Sequence, residues 1–206
     1  MNTGNNHCSI HCILPPFLLE TMAASKNPKV RAIALGNIAA AASFRSHRRV
    51  MSVMPTMAVN ASPSQKKHRL VYDMAGASFP LPGALIRSEG GKASKDKAIN
   101  EAYNHSGTTY DFYSKLFGRN SLDDNGMSLI SSVHVADFNG GSMSNAFWDG
   151  TQMAYGDGDG IIFKAFTKSL DVVGHELTHG VVSFTSNLVY QDEPGALNEH
   201  YADVFG

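Results

Sequence analysis

The segment His175-Glu176-Leu177-Thr178-His179 constrains this chain more than any other. Residues i and i+4 share one face of an α-helix, so a helix here brings the imidazoles of His175 and His179 onto a single ion. Further along, Asn198-Glu199-His200-Tyr201-Ala202-Asp203 has a second, acidic helix pattern, with Glu199 placed to add a harder oxygen ligand. Two histidines and a carboxylate leave a tetrahedral zinc ion one open position, where water can become a nucleophile. Glu176, beside the first ligand, would hold and deprotonate that water. The pattern is that of a metallopeptidase site.

The competing interpretation is a pair of surface helices with solvated charges, since a short HExxH match also arises by chance. Val172, Val173, Leu177, Val181 and Val182 surround the histidines, which marks the helix as buried rather than solvated. Buried histidines and a buried glutamate need partners, and a metal ion supplies them. Glu199 and Asp203 are also spaced i, i+4. One can bind metal while the other takes the free ring nitrogen of a ligand histidine and fixes its tautomer.

With 206 residues the chain has room for one large domain or two small ones. A formal net charge of -1 argues against nucleic acid or an anionic membrane as the main partner. No apolar run reaches the length of a membrane span. The N-terminus lacks the basic-then-apolar build of a standard signal peptide, and Pro15-Pro16 interrupts its best hydrophobic stretch. The only two cysteines, Cys8 and Cys12, precede the body of the chain, which therefore depends on no disulfide. His7-Cys8 and His11-Cys12 repeat at i, i+4, either as a soft metal-binding patch or as an exposed terminus.

Residues 1–50 differ from the rest. A short apolar segment with two prolines leads into Lys29–Ser43, whose Val30, Ile33, Ala34, Leu35 and Ile38 predict an amphipathic helix. Arg45, His47, Arg48 and Arg49 follow it. Residues 51–68, with Pro55, Pro63 and poor periodicity, are expected to form a linker and processing region. The body opens with a strand at Arg69–Asp73. A helical region is predicted over Lys95–Leu116, interrupted at Gly107-Thr108. Ser128–Ala136 and Gly160–Phe166 are predicted strands, with Val133, Val135, Ile161, Ile162 and Phe163 buried. Gly156-Asp157-Gly158-Asp159-Gly160 is a turn between them, structural or calcium-binding. The metal-motif helix is predicted over Ser169–Val182, giving an α+β class: a strand-rich N-terminal domain, the HExxH helix, then the start of an all-helical part. Glu199–Phe205 remains helical in pattern at Gly206, with Leu197, Val204 and Phe205 uncovered, so the expectation is a truncated chain.

From Arg69 to Gly206 the sequence resembles the thermolysin-like neutral metallopeptidases. The resemblance rests on Asn145-Ala146-Phe147-Trp148-Asp149-Gly150, on Gln152 through Gly160, on the HELTH block, and on Asn187-Leu188-Val189-Tyr190 through Gly195-Ala196-Leu197-Asn198-Glu199. It implies zinc bound by His175, His179 and Glu199, the ligand set known for thermolysin, with Glu176 as general base. It also implies that Asp203 orients His175, that Asn198 orients His179, and that Tyr190 donates to the oxyanion of the tetrahedral intermediate. Asn145 and Ala146 would lie on an edge strand that pairs with substrate backbone, and Asp171 would be a calcium ligand. The domains implied are a pro-segment over 1–50, the linker over 51–68, a catalytic domain over 69–185, and the start of a helical domain over 186–206.

The leader resembles that of the protealysin-type branch, which implies that residues 1–50 cover the cleft and inhibit the enzyme until cleavage near Arg48-Arg49. A sharper version places the thiolate of Cys12 or Cys8 on the open zinc position. The family implies protein and peptide substrates, cleavage of internal bonds and export; a short leader without a standard signal leaves a cytoplasmic location as the alternative. His200 and Tyr201 depart from the small residues usual after the ligand glutamate. Two other functions compete with an endopeptidase: a zinc-binding fragment without catalysis, and an interaction module in which the pro-segment stays docked on the cleft.

Overall fold

The structure is a computed structural model that describes residues 16–39, 66–137, 140–189 and 192–206. Helix α1 spans Pro16–Ala23 and α2 spans residues 28–39. Asn27 begins α2 by accepting from the Lys29 N–H at 3.0 Å. The remainder of the predicted helix over Lys29–Ser43 lies outside the described residues, as do Cys8, Cys12, Arg48 and Arg49.

The body is a mixed five-stranded sheet with helices packed against it, an α+β arrangement. Its strands are β1 (Arg69–Asp73), β2 (Ala84–Ser88), β3 (Leu129–Val133), β4 (Ala146–Trp148) and β5 (Met153–Tyr155), in the order β2-β1-β3-β5-β4. β1 pairs antiparallel with β2 and parallel with β3, β3 runs parallel to β5, and β4 returns antiparallel along β5. Helix α3 (Lys97–Phe117) joins the first hairpin to β3. Its N-terminus is set by Asp96, whose side chain accepts from the Ala98 and Ile99 N–H groups. Helix α4 (Leu170–Ser183) carries the HELTH segment and α5 (Asp192–Phe205) follows it. Val71, Ile99, Leu129, Val133, Trp148, Met153, Val173 and Leu177 form the core where α3 and α4 meet the sheet.

Several expectations need correction. Helix α3 runs unbroken through Gly107-Thr108. Gly107 is a contact point instead of a break: a Cβ there would strike the Arg69 guanidinium. That guanidinium is fixed by Glu89 and stacks on the Tyr103 ring, 3.7 Å from its centroid, with Arg87 at 3.6 Å. The strand expected over Gly160–Phe166 does not form. Asp159 Oδ1 accepts from the N–H groups of Ile161, Ile162 and Phe163, which folds the backbone into a local turn that competes with a ladder. Ile161 and Ile162, expected inside, are 68% and 40% exposed. The strand expected over Ser128–Ala136 stops at Val133 because His134 turns to a φ of 56°. Helix α5, Asp192–Phe205, contains the helical pattern expected at Asn198–Asp203 and extends it toward the N-terminus.

Candidate metal centre

Helix α4 is held on three sides, by α3, β4 and α5. Val173 and Leu177 point into the core at 0% and 1% exposure, and the same register buries His175, Glu176 and His179. The Tyr113 hydroxyl of α3 lies 2.7 Å from Thr178 Oγ1, which also donates to the Gly174 carbonyl at 2.9 Å. These contacts fix the rotation of α4, so the two histidines face α5. Close approach on that side depends on Gly174, where an added Cβ would lie 2.9 Å from the Gly206 carbonyl carbon.

The inward nitrogens of the two histidines converge with the Glu199 carboxylate. His175 Nε2 and His179 Nε2 are 3.1 Å apart. Glu199 Oε2 lies 3.3 Å from the first and Oε1 3.5 Å from the second. Ligands about 2.1 Å from a tetrahedral zinc ion sit about 3.4 Å from one another, and each of these pair distances is of that size, the two histidines facing different oxygens of Glu199. The outward nitrogens supply the second half of the fit. His179 Nδ1 donates to Asn198 Oδ1 at 2.8 Å, and His175 Nδ1 to Asp203 Oδ1 at 3.0 Å. Asn198 is itself oriented by donating to the Leu188 carbonyl at 3.3 Å. With the protons held outside, both Nε2 lone pairs point inward, as a metal requires.

Electrostatics point the same way. Burial opposes charging His175, but the hydrogen bond to Glu199 and the charges of Glu176, Glu199 and Asp203 outweigh it and raise its pKa above the ordinary histidine value, so a proton on its inward nitrogen takes the place that a metal cation would take. The site therefore attracts a cation. Glu176 is fully buried, and its Oε2 accepts from the Trp148 N–H of β4 at 3.0 Å. His175, Glu176 and His179 lie close enough together to hold a metal ion; Glu199 is outside that trio and is placed at the site by its contacts of 3.3 and 3.5 Å with the two histidines.

The other expected residues lie at varying distance from this centre. Ala146 begins β4, an edge strand, and Asn145 precedes it; both side chains are fully buried, and Asn145 Oδ1 accepts from the Ala146 N–H at 2.9 Å. Asp171 accepts from Ser169 Oγ and, at 2.9 Å, from the Val172 N–H, in the first turn of α4. Its surroundings among the described residues form no metal-capable group of three. Tyr190 lies outside the described residues. The sequence did not point to the Trp148 N–H or to Tyr155, whose fully buried phenol is pushed up in pKa by burial and by the Glu176 charge. Both arrive through strand pairing, which leaves no spacing signal.

Comparison with known proteins agrees with this geometry. Residues 49–183 match the family model described as thermolysin metallopeptidase, catalytic domain. That match includes both histidines and Glu176 and ends before Glu199. The chain is 50% identical over 143 residues to Protease PrtS of Photorhabdus sp. (strain Az29), covering 69% of this chain and 37% of that protein. It is 40% identical over 199 residues to an extracellular metalloprotease of Pectobacterium carotovorum subsp. carotovorum, covering 94% of this chain and 53% of the relative. Among solved structures, the precursor of protealysin, a metalloproteinase from Serratia proteamaculans, superposes with a TM-score of 0.75 at 38% identity, over 94% of this chain and 53% of that one. The chain thus spans about half the length of these relatives, or less. On the matched residues and the geometry of its histidines, it belongs to the thermolysin metallopeptidase family.

Proposed function

We propose that this protein is a zinc-dependent endopeptidase, with His175, His179 and Glu199 as metal ligands and Glu176 as general base. The observation that carries it is the convergence of the two inward nitrogens, 3.1 Å apart, on the Glu199 carboxylate at 3.3 and 3.5 Å, with both outward ring nitrogens already engaged. Zinc held there supplies a Lewis acid that draws the pKa of water toward about 7 and polarises a peptide carbonyl. Glu176, oriented by the Trp148 N–H, takes the proton of the attacking water and hands it to the leaving amine. Asn198 and Asp203 keep the histidine tautomers fixed throughout. Tyr190 donates to the developing oxyanion, and the edge strand β4 at Asn145 and Ala146 aligns an extended substrate once its Ala146 N–H is given up by Asn145. A calcium role for Asp171 rests on the family resemblance alone.

Residues 1–50 act as an intramolecular inhibitor removed near Arg48-Arg49, a reading supported by the likeness to a protealysin precursor over 94% of the chain. Export is supported by the name of the Pectobacterium relative. No helix among the described residues is long and apolar enough to cross a membrane.

The test is cleavage of an internally quenched peptide by the zinc-loaded chain after limited proteolysis near Arg48-Arg49, alongside Glu176→Gln. The variant should bind zinc one to one and lose about 10²–10⁴-fold in kcat. Absence of stoichiometric zinc in the parent, or full activity in the variant, overturns the assignment. Latency that survives replacing both Cys8 and Cys12 by serine eliminates the thiolate version of inhibition.

A further inference from the structure

His134 is remote from the proposed chemistry, yet both nitrogens of its ring are engaged by carboxylates. It follows β3 directly in the left-handed region, with a φ of 56° that few residues bearing a side chain adopt. Its carbonyl accepts from the Gly76 N–H at 3.0 Å. Nδ1 lies 2.9 and 2.8 Å from the two carboxylate oxygens of Asp157, and Nε2 lies 3.1 Å from Asp96 Oδ2. A neutral imidazole has one N–H and one lone pair. In that form one of the two contacts sets a lone pair against a carboxylate oxygen. Only the imidazolium makes both attractive.

The ring joins three elements. Asp96 is the N-cap of α3, and its Oδ1 accepts from the Ala98 and Ile99 N–H groups at 2.7 and 3.3 Å while Oδ2 faces His134. Asp157 sits in the turn that leaves β5, and the chain from there runs through a short 3₁₀ turn, Phe166–Lys168, into α4. His134 itself ends β3. Asp73, from the end of β1, lines the same cleft, and among the described residues no lysine or arginine lines it. Asp137, on the turn after β3, accepts from the Gly141 N–H at 2.8 Å.

We propose that His134 is a proton-operated latch, holding the Gly156–Gly160 turn against the start of α3 while the ring is charged and releasing it on deprotonation. Burial opposes charging the ring, but the hydrogen bond and charge of Asp157, then those of Asp96, outweigh it and raise its pKa. Burial likewise opposes charging Asp96, whose pKa is nonetheless held below the usual range by the Ile99 N–H, the His134 charge and the Ala98 N–H. The raised histidine contributes stability that is complete below about pH 6.5 and is lost as pH rises through its folded value. The depressed aspartate contributes stability present above about pH 3.9 and lost as pH falls through its folded value. The latch is closed between those limits. His134 is 24% exposed and its partners 43% and 42%, so solvent screening suits it to local release rather than global unfolding.

The test is an NMR titration of the full chain in excess zinc, which keeps His175 and His179 from titrating. His134 resonances are assigned by their loss in His134→Gln. The expected midpoint lies above 6.5 and falls by about one unit, a tenfold change in proton affinity, in Asp157→Asn. After correction for intrinsic base catalysis, amide protection over 156–165 should fall through the same midpoint. A midpoint at or below 6.5, one unmoved by Asp157→Asn, or protection indifferent to pH overturns the latch. If His134→Gln does not fold, the parent and Asp157→Asn titrations still decide it.

Discussion

Helices α4 and α5 are both 14 residues long and both contribute to the proposed metal centre, but the core treats them differently. Helix α4 buries nine residues, Val173 through Gly180 and Val182, on both its apolar and its ligand-bearing faces. Helix α5 buries three, Gly195, Asn198 and Ala202, and leaves Leu197, Tyr201 and Val204 between 40% and 57% exposed. The two histidines are therefore positioned by core packing whether or not a metal is bound. Glu199 depends on a narrower set of contacts: the close approach at Gly174, the Asn198 hydrogen bonds, and the site's own charges. One helix is held by the fold on several sides, and the other chiefly by the site it completes, with the buried Ala202 and the Phe205 ring against Phe117 of α3 as its further anchors.

The strongest way to break that contrast is Leu177→Ala. Leu177 is 1% exposed in the core cluster, so truncation leaves a cavity and should cost about 2–5 kcal/mol in urea unfolding. Zinc affinity of the molecules that remain folded should change little, since the ligand-bearing face is untouched. A cost under about 1 kcal/mol would mean that α4 is not anchored as described. Asn198→Ala should act in the opposite sense. It removes the acceptor of His179 Nδ1 and the tie to Leu188, and should weaken zinc binding about 10–100-fold in a chelator competition. Asp203→Asn should have a smaller effect, because the Asp203 side chain is 72% exposed and water can replace it. Equal losses in the two variants would refute the idea that α5 is held chiefly through its buried amide.

The legibility of these two helices in the sequence follows the same division. The metal helix could be read because its signal is local: a 3.6-residue period of valine and leucine around two histidines one turn apart. The same holds for Arg69–Asp73 and for the charged i, i+4 pair in α5. The errors fell where a side chain decides the backbone. Asp159 captures three successive N–H groups and prevents the strand that Ile161, Ile162 and Phe163 suggested. Gly107 looked like a break because its role, making room for Arg69, depends on a residue 38 positions earlier. The short strands β4 and β5 carry too few residues for alternation to register, so the Trp148 N–H behind Glu176 had no signature of its own. The pattern over Ser128–Ala136 puts His134 in a continuing strand, and its two acidic partners are brought to it only by the fold.

The smallest expected effect sharpens the comparison most. Leu197 precedes Asn198 on α5 and is 42% exposed, so Leu197→Ala removes little buried surface and substitutes the residue most favourable to a helix. Stability should stay within about 0.5 kcal/mol of the parent, and zinc affinity should be unchanged. The same leucine-to-alanine change thus separates the two helices by several-fold in cost, at Leu177 and at Leu197. A loss above about 2 kcal/mol at Leu197 would mean that the outer face of α5 is covered in solution, since an exposed side chain cannot lose that much on truncation. Sedimentation at two protein concentrations would then tell whether a second copy covers it. A result within the expected range leaves the buried amide of Asn198, rather than the apolar stripe beside it, as what holds Glu199 over the histidines.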